Sequence, residues 1–160
     1  MIRQATHNHA GMHAMNQPSD QSTHADSQRK TSRVLIVEDD AEMRNMLAES
    51  LREEGYLVDV FPDGIHLLNT YLCEAGDSSR LKKWDVIISD IRMPGLSGLT
   101  ILAGLRVSGR HLPPTIIITA FGDEETHAEA RRIGIAAVFD KPFEVDVLVD
   151  KVRELAPPAK

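Results

Sequence analysis

The sequence contains a single cysteine, Cys73, so it can form neither an internal disulfide nor a metal site built from cysteines. No apolar run approaches the roughly 20 residues that a membrane-spanning helix needs. The N-terminal segment also lacks the apolar centre of a secretory signal peptide. These absences predict a cytoplasmic protein that does not contact a membrane, with Cys73 half-buried on a helix.

Clustered positive charge is lacking as well. Residues 1–33 contain four of the 18 basic residues and two of the 24 acidic ones, which leaves 14 basic and 22 acidic residues beyond them. The net charge of that larger part is therefore −8. Because binding to a phosphate backbone requires clustered Lys and Arg, we expect no direct contact with nucleic acid.

The length of 160 residues suits one domain. Residues 1–32 are rich in His, Gln, Asn, Ser and Thr and have almost no large aliphatic side chains, which predicts a disordered polar tail. A transition-metal site is an alternative for its histidines, but a plain polar tail is the interpretation we favour. The predicted domain spans residues 33–156, followed by a short tail, 157–160. The tail histidines are His7, His9, His13 and His24.

Short β-branched runs alternate with segments of helical periodicity from Arg33 onward, a pattern typical of βα units around a parallel sheet. Five such units cannot close an eight-stranded barrel, so we predict an α/β fold with an open, doubly wound, five-stranded sheet. The strands are nearly all apolar, which predicts burial on both faces. They are predicted at Val34–Val37, Leu57–Val60, Val86–Ser89, Thr115–Thr119 and Ala136–Phe139.

The helices are predicted from their apolar stripes and end signals. In the first, which begins near Asp40 and stops at Gly55, the apolar residues are Met43, Met46, Leu47 and Leu51. A polar, weakly patterned connection follows the second helix at residues 74–83. The later helices are predicted at Gly64–Leu72, Gly98–Val107, Asp123–Ile133 and Glu144–Leu155.

Polar residues stand where four of the strands end, and ligands of open α/β sheets bind beyond those ends. Carboxylates gathered there repel one another, and the usual remedy is a hard cation such as Mg²⁺. Lys141 could supply further positive charge to a phosphoryl group. Taken singly, each residue could instead be a helix cap or part of a turn. The strand ends read Val37-Glu38-Asp39-Asp40, Ser89-Asp90, Thr119-Ala120 and Asp140-Lys141-Pro142-Phe143.

Four segments resemble the receiver domains of two-component response regulators, over about residues 33–155. The resemblance implies the flavodoxin-like strand order 2-1-3-4-5, with five helices on both faces. It is closest to the stand-alone, chemotaxis-regulator-like, single-domain type. The segments are VLIVEDD, VIISDIRMPGLSG, TIIITAFGDEE and VFDKPF.

The resemblance also implies roles for individual residues. Asp90 is the implied phosphoacceptor, with Glu38 and Asp39 as the acidic pair that binds Mg²⁺. The backbone carbonyl of Arg92 is implied as a further metal ligand.

Around the phosphoryl group, Thr119 resembles the switch hydroxyl and Lys141 the lysine that pairs with the acyl phosphate. Ala120 would leave room beside it, and the Lys141-Pro142 bond is expected to be cis. Asp40 is expected to cap the first helix.

One position departs from the family pattern. Val138 stands three residues before Lys141, where the family commonly has Tyr or Phe. The neighbouring Phe139 should point to the opposite face of the strand. The usual coupling between threonine rotation and burial of an aromatic ring is therefore not expected here.

The predicted function is that of a phosphorelay receiver, not an enzyme, which takes a phosphoryl group from a sensor histidine kinase or histidine phosphotransfer protein. It would signal to a downstream protein by direct contact, with a weak dimer formed on phosphorylation. An alternative is a receiver-like interaction module that signals without phosphorylation. A Mg²⁺-dependent phosphohydrolase is disfavoured because no second acid-base residue is evident beside Asp90.

Overall fold

The computed structural model describes residues 31–73, 84–93, 97–109, 112–120 and 122–158. The predictions for the His-rich tail and for the connection 74–83 lie outside these residues, as do residues 94–96 of the segment VIISDIRMPGLSG. So does the side chain of Cys73, whose backbone lies on the second helix as predicted and is its last residue, one beyond the predicted end.

Five strands alternate with five helices along the described chain. The elements are β1 (Arg33–Val37), α1 (Ala41–Glu53), β2 (Leu57–Phe61), α2 (Gly64–Cys73), β3 (Val86–Asp90), α3 (Gly98–Val107), β4 (Thr115–Thr119), α4 (Glu124–Arg132), β5 (Ala137–Asp140) and α5 (Val145–Leu155). Each predicted element is present, with ends that differ by no more than two residues from those predicted.

All strand pairings are parallel, and the sheet order is β2-β1-β3-β4-β5. This confirms the order that the resemblance implied. The central position of β3, between β1 and β4, places its carboxyl end beside the ends of both neighbours. Val37 pairs with Ser89, and Asp90 pairs with Ile118.

Helices cover both faces of the sheet, as predicted. On one face α1 and α5 pack against alternate residues of the inner strands, such as Val34 and Ile36. On the other face α2 and α3 pack against Leu35 and Val37, and Ile133 at the end of α4 joins this layer. Alternation of side chains along each strand thus supplies two separate cores.

The prediction that every strand is buried on both faces was wrong for the two edge strands. The described residues of β3 and β4 are all buried, whereas Leu57 and Val60 of β2 are 47% and 37% exposed. In β5 no residue is fully buried. An edge strand has only one neighbour in the sheet, and its flanking helix covers it incompletely.

Helix α1 shows how local sequence sets its ends. The Asp40 carboxylate accepts hydrogen bonds from the amides of Glu42 and Met43, which confirms it as the cap. Gly55 follows with φ of +89°, a conformation that a side chain disfavours. Leu47 and Leu51 are buried as predicted, but Met46 is 40% exposed, because it lies at the margin of the apolar stripe.

Within the parts of the chain that the structure describes, no helix is both long and apolar enough to cross a bilayer.

Candidate functional site

Three carboxylates meet at the carboxyl edge of the sheet. Glu38 and Asp39 follow β1, and Asp90 is the last residue of the adjacent strand β3. One oxygen from each carboxylate lies within 4.8 Å of the others. Parallel pairing of β1 with β3 therefore brings together residues that are about 50 positions apart in the chain.

Glu38 is the most enclosed of the three, with 1% of its surface exposed. Its amide donates to the carbonyl of Phe61, and its Oε1 accepts from the amide of Asp40 at 3.3 Å. Burial raises the pKa of the Glu38 carboxyl, assisted by the nearby negative charge of Asp90 and opposed by the hydrogen bond from Lys141. A positive charge beside Glu38 would therefore be offset by the negative charges of Glu38 and Asp90.

Lys141 reaches this cluster from the end of β5. Its Nζ lies 2.7 Å from Asp90 Oδ2 and 3.0 Å from Glu38 Oε2, so one ammonium contacts two of the three carboxylates. Burial acts to lower the pKa of Lys141, but the hydrogen bonds and charges of Asp90 and Glu38 outweigh it and raise that pKa. The side chain is therefore held in its charged form.

Asp90 is held from two further sides. Its Oδ1 accepts a hydrogen bond of 2.8 Å from the amide of Arg92, whose own side chain is exposed. At the backbone, α3 begins so close to the strand that a Cβ on Gly98 would collide with the Asp90 carbonyl and lie 2.9 Å from Ser89 Oγ. Only glycine fits at that contact.

Thr119 ends β4 and is fully buried. Its carbonyl accepts a 2.7 Å hydrogen bond from the amide of Lys141, so the ends of β4 and β5 are joined there. The peptide bond between Lys141 and Pro142 is cis, as expected. Glu38, Asp39, Asp90, Thr119 and Lys141, proposed from the sequence as site residues, thus all lie at one edge of the sheet.

The site opens to solvent through a cavity of about 590 Å³. Asp39, Arg92 and Ser97 contribute to its lining, together with Ile91 and Met93. Asp39 is exposed, whereas Asp90 is 5% exposed at the foot of the cluster.

Two polar contacts near the site were not predicted. Arg44 of α1 donates to the backbone of the acidic pair, and His127 of α4 lies 3.2 Å from both carboxylate oxygens of Asp140. Arg44 could have drawn attention, since a basic residue in the first turns of a helix opposes the helix dipole. Nothing in the sequence pairs His127 with Asp140, because the two lie on different elements.

The residues present fit a hard divalent cation. The described cluster offers only oxygen atoms, from three carboxylates, and Mg²⁺ is commonly held by one or two carboxylates together with water and phosphate oxygens. One ammonium against three carboxylates also leaves the cluster with an excess of negative charge. The donor set and this charge are both suited to Mg²⁺.

The chain matches the family model of the response regulator receiver domain over residues 34–153. It is 37% identical over 122 residues to the transcriptional regulatory protein PdtaR of Mycobacterium tuberculosis, and covers 55% of that protein. It is 35% identical over 123 residues to the C4-dicarboxylate transport transcriptional regulatory protein DctD of Pseudomonas aeruginosa, of which it covers 24%. These two relatives are thus longer than the matched region.

Other relatives are close to the matched region in length. Sporulation initiation phosphotransferase F of Bacillus subtilis is 29% identical over 125 residues. That match covers 78% of this chain and 94% of the relative. Among solved structures, Vibrio cholerae chemotaxis protein CheY4 is 25% identical with a TM-score of 0.65, with 78% of this chain and 98% of that chain covered. Thermotoga maritima TrrA, in complex with Mg²⁺ and BeF, is 30% identical with a TM-score of 0.62 and the same coverage.

The family match covers three quarters of the chain, and the fold shares the strand order and the helices of these structures. The protein belongs to the response regulator receiver domain family, the signalling domains of two-component systems.

Proposed function

We propose that this protein is a response regulator whose receiver domain accepts a phosphoryl group on Asp90 with the help of Mg²⁺. The observation that supports this most directly is the contact of 2.7 Å between Lys141 Nζ and Asp90 Oδ2 inside the carboxylate cluster. A carboxylate that is to attack a phosphoryl group needs positive charge beside it, because negative charge develops on the transferring oxygens.

In the proposed transfer, an Asp90 carboxylate oxygen attacks the donor phosphorus in line with the bond that breaks. The leaving atom is the nitrogen of a phosphohistidine or the oxygen of a small phosphodonor, and the product is an acyl phosphate on Asp90. Lys141 neutralises the phosphoryl oxygens, and the Thr119 hydroxyl turns toward them. Mg²⁺, held by Glu38, Asp39, Asp90 and the Arg92 carbonyl, would add positive charge at the same oxygens.

The donor we propose is a sensor histidine kinase or a histidine phosphotransfer protein. One relative supports phosphoryl transfer as the activity, since it is named a sporulation initiation phosphotransferase. TrrA, which was solved with Mg²⁺ and BeF, supports the metal. The acyl phosphate would then be hydrolysed slowly within the protein itself, without turnover of any other substrate.

Output is proposed to pass through contact with a downstream protein in the cytoplasm, accompanied by weak dimerisation of the phosphorylated form. The proposed receiver spans residues 33–156, between a His-rich tail, 1–32, and a short tail, 157–160. Deletion of residues 1–30 is expected to leave phosphorylation unchanged, because that segment has no periodic apolar face.

The test is incubation with acetyl phosphate and Mg²⁺, read by intact mass and by hydroxylamine lability of the product. The wild type should gain one phosphoryl group, and Asp90→Asn should gain none. Asp85→Asn is the matched control, because Asp85 immediately precedes the same strand at its other end. Equal labelling of Asp90→Asn and the wild type would reject Asp90 as the acceptor.

A further inference from the structure

The backbone of the acidic pair is held by an arginine from the neighbouring helix. Arg44 Nη1 lies 2.7 Å from the carbonyl oxygen of Glu38 and 3.2 Å from that of Asp39. A single guanidinium nitrogen thus donates to two consecutive carbonyls. These carbonyls belong to the two residues whose carboxylates join Asp90 in the cluster.

This contact acts at a turn whose other hydrogen bonds, among the described residues, hold amides and side chains and not the carbonyls of Glu38 and Asp39. Beyond β1, the Glu38 amide is bonded to Phe61, and the Asp40 amide reaches Glu38 Oε1 at a longer 3.3 Å. The Asp40 side chain is used to cap α1. Arg44 is therefore the contact that ties the carbonyl side of both residues to the rigid helix.

The location of Arg44 is unfavourable for the helix itself. It lies four residues after the cap, near the positive end of the α1 dipole, where acidic side chains are preferred. Its half-buried side chain turns back toward the loop instead of extending into solvent. Its position is accounted for by what it contacts, not by helix stability.

We propose that Arg44 is a positioning residue for the metal-binding acidic pair: by holding the Glu38 and Asp39 carbonyls, it fixes the direction of their carboxylates toward Asp90. This inference rests on the proposed function, since the cation concerned is the Mg²⁺ of phosphoryl transfer. Groups that orient metal ligands typically change metal affinity about 10-fold to 100-fold when removed.

A role through charge and a role through positioning predict opposite changes in Mg²⁺ affinity when Arg44 is removed. Its positive charge lies at the loop itself, with Nη1 2.7 Å from the Glu38 carbonyl oxygen. Removal of a cation near a cation site should tighten Mg²⁺ binding if charge alone matters. If Arg44 orients the ligands, the same removal should weaken Mg²⁺ binding.

The experiment measures the Mg²⁺ dissociation constant by calorimetric titration of the full chain for the wild type, Arg44→Ala and Arg44→Lys. Arg52→Ala is the matched control: Arg52 lies on the same helix and donates to the carbonyl of Val58 at 3.3 Å, in β2. We expect Arg44→Ala to weaken Mg²⁺ binding about 10-fold, with Arg52→Ala unchanged. Arg44→Lys should retain most of the affinity, because one nitrogen makes both contacts.

Unchanged or tighter Mg²⁺ binding by Arg44→Ala would overturn the inference, and so would an equal loss in Arg52→Ala. If Arg44→Ala does not fold, Arg44→Gln, which is too short to make both contacts, takes its place. Amide hydrogen exchange of Glu38, Asp39 and Asp40 without metal is the second readout. If even the wild type fails to bind Mg²⁺, the proposed function fails, and this exchange still decides the role of Arg44. Faster amide exchange in Arg44→Ala than in Arg52→Ala supports the positioning role of Arg44, and equal exchange in the two variants rejects it.

Discussion

The ammonium of Lys141 lies 2.7 Å from Oδ2 of Asp90. The same nitrogen is 3.0 Å from Glu38 Oε2, so one positive charge serves two acidic side chains while Asp39 adds a third negative charge. The four side chains together have a net charge of −2 when all are ionised. This arrangement opposes folding and favours binding of a cation, as is common where function requires clustered charge.

The substitution Asp39→Asn should therefore stabilise the metal-free protein, by about 0.5 kcal/mol, because it removes one repelling charge without removing a partner of Lys141. It should also reduce the stabilisation that Mg²⁺ gives. Thermal unfolding in EDTA and in MgCl₂ measures both effects. Loss of stability in EDTA would contradict the repulsion described above.

The substitution Gly98→Ala should cost about 1–3 kcal/mol of unfolding free energy and slow phosphorylation, because the added methyl collides with the Asp90 backbone. Gly122→Ala is the comparison. The atoms nearest to its methyl would be those of the Asp140 carboxylate, an exposed side chain that can turn away. Chemical denaturation of both variants should show the larger loss for Gly98→Ala, and the reverse order would reject this account.

Much of the fold followed from local sequence. Alternating strand and helix patterns, the Asp40 cap and the Gly55 stop depend on residues close together in the chain, so periodicity and end signals were sufficient. The strand order required the resemblance, because βα units of similar composition can be ordered in more than one way. The same limit explains the error over β2 and β5, whose apolar residues do not reveal that they form the edges.

The candidate site was predictable for residues at strand ends, since those ends must meet at one edge of a parallel sheet. The contacts of Arg44 and the pairing of His127 with Asp140 were not predictable. Such contacts depend on the rotation of a helix about its axis and on the side-chain rotamer. Neither is set by hydrophobic periodicity to the accuracy of a hydrogen bond.

Acid should weaken the contribution of the α4 cap. The Asp123 carboxylate accepts hydrogen bonds from the side chain and the backbone amide of Thr126. These bonds are the main reason why the pKa of the Asp123 carboxyl lies below its ordinary value of 3.8. A lowered pKa in the folded protein means that this contribution is fully present above pH 3.8 and is lost as the pH falls through the lower folded value.

Asp123→Ala should accordingly be less stable than the wild type at neutral pH, and the difference should shrink as the solution is acidified below the ordinary pKa of the carboxyl. Denaturant unfolding of both proteins over a pH series measures that difference. Asp123→Asn, which can still cap but has no charge, should show a weaker dependence on pH. A difference that stays constant down to the acid limit would exclude ionisation as its cause.

Val138 leads to a prediction about the switch. It is half-buried and packs on the α2 and α3 face with Ile133 and Ile135, whereas Phe139 lies on the other face, 5.8 Å from the ring of Phe143. The prediction that Phe139 points away from Val138 is thus confirmed. No aromatic ring of β5 is available on the face where the family commonly has one.

Addition of beryllofluoride should therefore change mainly the segment that follows Thr119, because a ligand shifts only elements whose two states it contacts differently. Val138→Ala should cost about 1 kcal/mol of stability and keep this response, since a valine side chain has few alternative burials. Thr119→Ala should lose most of the response, because the hydroxyl that meets the phosphoryl oxygens is gone. NMR shift changes on beryllofluoride addition, in the wild type and both variants, measure this response. Equal loss in the two variants would mean that Val138 does the work of the aromatic residue, and the switch would then run through β5 after all.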